Sequence, residues 1–125
     1  MTELIYKDET YQLRGAAFEV YKEMGSGYVE PVYQECMEKE LRNCSIPFEA
    51  QRQITIKYKG SPLAHHYVPD LVCFDKIIVE LKAVKALQAE HRAQLLNYLK
   101  ATGMRLGLLI NFGHYPGVEI ERIVL

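Results

Sequence analysis

Val68-Pro69-Asp70-Leu71-Val72-Cys73-Phe74-Asp75-Lys76-Ile77-Ile78-Val79-Glu80-Leu81-Lys82 is the stretch from which the fold can be read. Its second half, with Ala83, carries five apolar residues and reads as a buried strand. Glu80 and Lys82 nevertheless sit inside that run, two apart and therefore on one face of the strand. Burying a carboxylate or an ammonium costs several kcal/mol unless the group is paired or metal-bound. Such residues are candidates for chemistry.

Val68 to Phe74 also reads as a strand, so the two segments form an antiparallel hairpin. A three-residue loop, Phe74-Asp75-Lys76, places Asp70 opposite Glu80 and Val68 opposite Lys82. A two-residue loop pairs Asp70 with Leu81 and sends the two carboxylates to opposite faces. The first register is expected. Directly opposed side chains have Cβ atoms about 5 Å apart, and like charges there repel. A divalent cation between them removes the repulsion. Mg²⁺ and Mn²⁺ take oxygen ligands, and Mg²⁺ commonly binds through one or two carboxylates plus a substrate phosphate.

The chain has 125 residues, 49% of them hydrophobic, which suits one domain with a real core. Its apolar runs are too short to span a membrane, and Met1 to Lys7 show no signal-peptide pattern. A soluble cytoplasmic protein is expected. Cys36, Cys44 and Cys73 form no CxxC pair and no zinc spacing, so they read as small buried hydrophobes. A net charge of −1 excludes a protein that coats nucleic acid by overall basicity. Any polyanion binding rests on a local patch, another subunit or a partner.

Helical spacing predicts a first helix over Asp8 to Met24, stopped by Gly25, and a second over Glu30 to Asn43 with Pro31 in its first turn. Strands are expected at Gln53 to Tyr58, Leu63 to Phe74, Ile77 to Lys82, Leu106 to Phe112 and Gly117 to Val124. A third helix is expected over Leu87 to Thr102, stopped by Gly103. A helix between the Glu80 and Leu106 strands implies a right-handed crossover and parallel pairing. The result is a mixed sheet covered by helices.

His91, Gln94 and Tyr98 share one face of the third helix. They read either as substrate-orienting groups or as the polar flank of an amphipathic helix. Glu30 reads either as a helix-dipole complement or as a third carboxylate. Gly25-Ser26-Gly27 lacks a phosphate-loop pattern and reads as a helix–helix turn.

Pro69-Asp70 followed by Glu80-Leu81-Lys82 resembles the core motif of the PD-(D/E)XK nuclease superfamily. Gly27-Tyr28-Val29-Glu30-Pro31-Val32-Tyr33 is similar to the signature of the small GxxExxY family, as are the runs 77–83, 93–103 and 107–113. This resemblance covers nearly the whole chain. It implies an α/β, restriction-endonuclease-like fold: a mixed β-sheet flanked by helices, core order αβββαβ. It implies Mg²⁺ or Mn²⁺ on Asp70, Glu80 and the backbone carbonyl of Leu81, with Lys82 positioning or activating the attacking water. Glu30 matches an acidic residue that often completes such a site, although Pro31 fixes it at the very start of its helix. Gln94 and Tyr98 resemble the Gln-x-x-x-Tyr motif of RecB-like nucleases, which helps hold the DNA.

The expected activity is metal-dependent hydrolysis of phosphodiester bonds in nucleic acid, with DNA as the leading substrate. Lys82 would stabilise the developing negative charge. Two other readings stand beside it. One is a non-catalytic or partner-dependent nucleic-acid or protein interaction module that keeps the fold. The other is an internal ion-pair network of Asp70, Glu80 and Lys82 without metal. Lys85, Arg92 and Lys100 are candidate phosphate contacts or solvated charges. A homodimer is the default assembly, and no membrane partner is expected.

Overall fold

The computed structural model describes residues 4–125. Part of the N-terminal segment read for a signal pattern, residues 1–3, lies outside them. Chain order is α1 (Lys7–Met24), α2 (Glu30–Asn43), β1 (Phe48–Ala50), β2 (Ile54–Tyr58), β3 (Ser61–Tyr67), β4 (Leu71–Cys73), β5 (Ile77–Lys82), α3 (Ala89–Thr102), β6 (Leu106–Asn111) and β7 (Glu119–Val124). Five strands form the main sheet in the order β1-β4-β5-β6-β7, and β2 and β3 form a separate two-stranded ribbon. This is the expected mixed α/β architecture, restriction-endonuclease-like, with α2, β1, β4, β5, α3 and β6 in the order αβββαβ.

The β4–β5 hairpin has the expected register. Leu71 pairs with Val79 and Cys73 with Ile77, leaving Phe74-Asp75-Lys76 as the loop. Phe74 and Asp75 both have positive φ, and the Cys73 carbonyl accepts the Lys76 N–H at 3.1 Å. Continuing the register by one residue sets Asp70 opposite Glu80.

The single strand expected from Leu63 to Phe74 is instead two strands in different sheets. Pro69 has no N–H to give a ladder, and the chain leaves β3 at Tyr67 and enters β4 only at Leu71. Val68 is 46% exposed in that break, so the expected pairing of Val68 with Lys82 does not form. β1 was not expected at all. It is three residues long with an exposed Glu49 at its centre, and its pairing with β4 is what makes it a strand.

β5 pairs in parallel with β6, as the intervening α3 demands, and β7 closes the edge antiparallel. Strand alternation then sorts the two faces. Ile77, Val79 and Leu81 pack with Leu106, Leu108, Ile110 and Phe112 against α1 and α2. Ile78 and Leu109 pack with Tyr67, Leu95 and Leu99 on the α3 side. Fully burying a leucine such as Leu95 or Leu99 contributes roughly 1.5–3 kcal/mol. Glu80 and Lys82 continue the Ile78 face, so both charged groups lie on the α3 side.

Asn111, paired with Lys82 across the parallel ladder, is fully buried. Its Oδ1 accepts the Val84 and Gly113 N–H groups, each at 3.0 Å, and its Nδ2 donates to Glu119 Oε1 at 3.0 Å. The same Glu119 oxygen accepts the Leu87 N–H at 3.1 Å. This clasp fixes the chain as it leaves Lys82. At Gly113, an added Cβ would lie 2.4 Å from the Val84 backbone, so only glycine permits the close approach.

Asn111→Ala leaves two N–H groups without their acceptor. A loss of about 2–4 kcal/mol in unfolding free energy is expected by urea titration. A loss below about 0.5 kcal/mol would show that the clasp carries no stability.

Candidate functional site

Asp70 and Glu80 meet where β4 gives way to the Pro69 break. The Leu81 N–H donates to Asp70 Oδ2 at 2.7 Å, and the Asp70 N–H reaches Glu80 Oε1 at 3.4 Å. The Lys82 carbonyl accepts the Phe112 N–H on the β6 side at 2.8 Å. Carbonyls alternate sides along a strand, so the Leu81 carbonyl faces the other edge, where Asp70 lies. Both carboxylates are half-buried.

Burial, and then the neighbouring Asp70 charge, push the Glu80 carboxyl up to about 7. Burial also raises Asp70, opposed by the Leu81 N–H and the Lys82 charge. Yet no ion pair among the described residues joins Lys82 to either carboxylate. The internal ion-pair network is therefore not formed. Glu80 Oε2 and Asp70 Oδ1 have no hydrogen-bond donor among the described residues, and no buried side-chain oxygen or nitrogen lacks a partner, so both oxygens reach solvent.

Two neighbouring carboxylates with no ion-paired cation among the described residues, each with a free oxygen, and a carbonyl on the same edge, make a donor set that fits a small hard cation. The set is spare. Among the described residues, no three His, Cys, Asp or Glu side chains come together as a metal-holding group. The remaining positions around a cation would fall to water and phosphate, which suits Mg²⁺.

Tyr67, with Gln34 of α2, joins the site without having stood out in the sequence. Its hydroxyl donates to Glu80 Oε1 at 2.5 Å, and its ring stacks on Tyr98 with centroids 3.5 Å apart. Desolvation and the Glu80 charge raise its own pKa, which keeps it a donor. Its sequence signal is faint: an aromatic two residues before Pro69. Gln94 Nε2 donates to the Tyr98 hydroxyl at 3.1 Å, so Gln94, Tyr98, Tyr67 and Glu80 form one connected chain. His91 is taken by a capping box, its Nδ1 accepting the Gln88 N–H at 2.9 Å. Arg92 is not a free phosphate contact. It makes two bonds to Glu121, at 2.5 and 2.7 Å. Lys85 and Lys100 are exposed.

Glu30 opens α2, with Pro31 next to it. Tyr33 sets the turn before it: its hydroxyl donates to the Gly25 carbonyl at 2.6 Å and accepts the Tyr28 N–H at 3.2 Å. The Tyr33 ring is fully buried and stacked on Phe112. Glu30 and Asp70 line one cleft of about 270 Å³ with Gln34, Gln51, Val68 and Pro69. Glu30 is exposed and does not join Asp70 and Glu80 in a three-carboxylate group. One turn along α2, Gln34 Nε2 donates to the Asp70 carbonyl at 3.0 Å and so fixes the Pro-Asp segment. Of the cysteines, all free thiols, only Cys73 is buried as expected; Cys36 is half-buried and Cys44 exposed.

A family model described as the PD-(D/E)XK nuclease superfamily matches residues 7–123. The chain belongs to the PD-(D/E)XK nuclease superfamily. Superfamily nucleases generally use divalent metals and act on nucleic acid. A search of curated proteins found no match. Among solved structures, the crystal structure of SSO0001 superposes with a TM-score of 0.59 at 17% identity, over 75% of this chain and 48% of that one. That likeness is one of fold, and this PD-(D/E)XK chain spans about half of SSO0001. No helix among the described residues is long and apolar enough to cross a membrane.

Glu80 holds its proton more tightly in the folded chain than in the unfolded one, at about 7 against 4.5. The stabilisation from that proton is complete below the unfolded value and is lost as pH rises through the folded one. With chelator present, wild type should therefore lose on the order of 2–3 kcal/mol between mildly acidic and mildly alkaline pH, relative to Glu80→Gln. Parallel stability–pH curves for the two proteins would contradict the shift.

Proposed function

We propose that this chain is a metal-dependent nuclease of the GxxExxY type that hydrolyses phosphodiester bonds in DNA in the cytoplasm. The observation that carries the reading is the facing pair Asp70 and Glu80, half-buried, with no cation paired to either among the described residues and Lys82 on the same face. The GxxExxY assignment is supported by Gly27, Glu30 and Tyr33, since the Tyr33 hydroxyl closes the turn that presents Glu30.

Asp70, Glu80 and the Leu81 carbonyl would hold Mg²⁺ or Mn²⁺, with Glu30 as a further acid lining the cleft. When bound, the cation supplies Lewis-acid polarisation of a phosphoryl oxygen and a water of lowered pKa. Lys82 positions the attacking water and stabilises negative charge as it develops on the phosphate. Tyr67 donates to Glu80 and favours its ionised form, against burial and Asp70. Gln94 and Tyr98, on the same polar chain, orient the DNA backbone.

A Mn²⁺-dependent cleavage assay on duplex DNA tests this. Asp70→Ala and Lys82→Ala should fall at least roughly a hundredfold while remaining folded. Wild-type cleavage rates in both purified variants would defeat the mechanism, and wild type that binds DNA without cutting it would be a non-catalytic module.

Tyr67→Phe removes a bond that lowers the Glu80 pKa. Its cleavage–pH profile should shift to higher pH, and an unshifted profile would remove Tyr67 from the site.

A further inference from the structure

The charge of this chain is unevenly placed. Residues 50–69 contain three of the fifteen Lys and Arg and none of the sixteen acids, leaving twelve against sixteen elsewhere. That acid-free stretch contains the β2–β3 ribbon. Only Ile54, Ile56 and Tyr67 tie the ribbon to the α3 side of the core. From Lys57 to His66 every residue is exposed. Lys59 and Gly60, with φ of 49° and 82°, make the tight turn at its tip. Core packing accounts for the root of the ribbon and not for its outer part, where every residue is exposed.

Its cations face solvent. Arg52, at the root, is engaged by Asp75 and Glu49. Lys57 and Lys59 have no ion-pair partner among the described residues. Lys59 Nζ lies 5.5 Å from the ring centroid of Tyr58, which is 62% exposed. His65 and His66 add hydrogen-bonding rings on β3.

Its root is the site itself. Tyr67, the last residue of β3, donates to Glu80. Gln51 and Val68, at the two ends of the ribbon segment, line the cleft that Asp70 and Glu30 share. A five-residue strand at about 3.3 Å per residue carries the tip roughly 17 Å from that root.

We propose that the β2–β3 ribbon is a duplex-DNA arm that enters the major groove beside the phosphate held at Asp70 and Glu80. Two-stranded ribbons fit the major groove of B-form DNA, whereas the A-form RNA groove is too narrow and deep. Lys57 and Lys59 meet backbone phosphates about half a helical turn from the cut. The position of the arm rests on the nuclease reading; its binding of DNA does not.

The test uses Lys57→Gln/Lys59→Gln, which removes both charges and keeps a similar side chain at the positive-φ position 59. A labelled 20-base-pair DNA duplex, its single strand and an RNA duplex are titrated by anisotropy, with Ca²⁺ in place of Mg²⁺. Cleavage of the DNA duplex and of bis(p-nitrophenyl) phosphate is followed with Mn²⁺. Wild type should prefer the DNA duplex. The variant should bind it more weakly, with a slope of log affinity against log salt shallower by about 2. It should lose duplex cleavage through KM and keep the wild-type rate on the small diester.

Equal duplex affinity and salt slope in the two proteins would overturn the arm, as would preference for single strands or RNA, or no duplex binding at all. The small diester separates the two proposals. Its cleavage with an unchanged duplex affinity in the variant sinks the arm and leaves the nuclease reading. Loss of duplex affinity in the variant, with the diester uncut by wild type, supports the arm and sinks the nuclease reading.

Discussion

Two carboxyl groups facing each other at the open end of a β-hairpin, without a paired cation among the described residues, constrain everything around them. Burial, and then their repulsion, push Glu80 up to about 7. The fold holds them there by devices that each have another use. The three-residue loop at Phe74 sets the register. Pro69 ends the ladder one residue early, so Asp70 turns its carboxylate onto the Leu81 N–H. Gln34 from α2 grips the Asp70 carbonyl, and Tyr67 grips Glu80. A chain under selection for stability alone would place apolar side chains here.

The sheet divides the labour. Its α1–α2 face is the larger apolar core, and its α3 face carries the charged end of β5 beside a smaller core. The Asn111–Glu119 clasp lies on the α3 face, beside Lys82. It satisfies the backbone leaving Lys82 and the approach to α3, so the helix bearing Gln94 and Tyr98 starts from a fixed point. The β2–β3 ribbon is inserted between β1 and β4 and covers part of the α3 face through Ile54, Ile56 and Tyr67.

Much of this was legible in residue patterns. Charged residues two apart within an apolar run marked β5 and put its two charges on one face. Loop length gave the hairpin register, and Gly25, Pro31 and Gly103 gave helix ends. What stayed hidden came from pairing between distant segments. β1 is too short for a period and exists through β4. The Pro69 break could be read as a strand because its flanks are apolar. Tyr67 and Gln34 reach the site by tertiary packing alone. Arg92 looked free because Glu121, its partner, lies on another element. Spacing sets Glu80 and Lys82 on one face but cannot tell whether they pair with Asp70 in an ion network, and no such ion pair forms among the described residues.

Asp70 and Glu80 together are the proposed seat of a divalent cation. Calorimetric titration of Mn²⁺ into wild type and Asp70→Asn, with a duplex present and at pH values either side of the Glu80 midpoint, measures this most directly. One site in wild type, tighter on the alkaline side, and its loss in Asp70→Asn are expected. Equal binding by both proteins, or none by wild type at either pH, would contradict it.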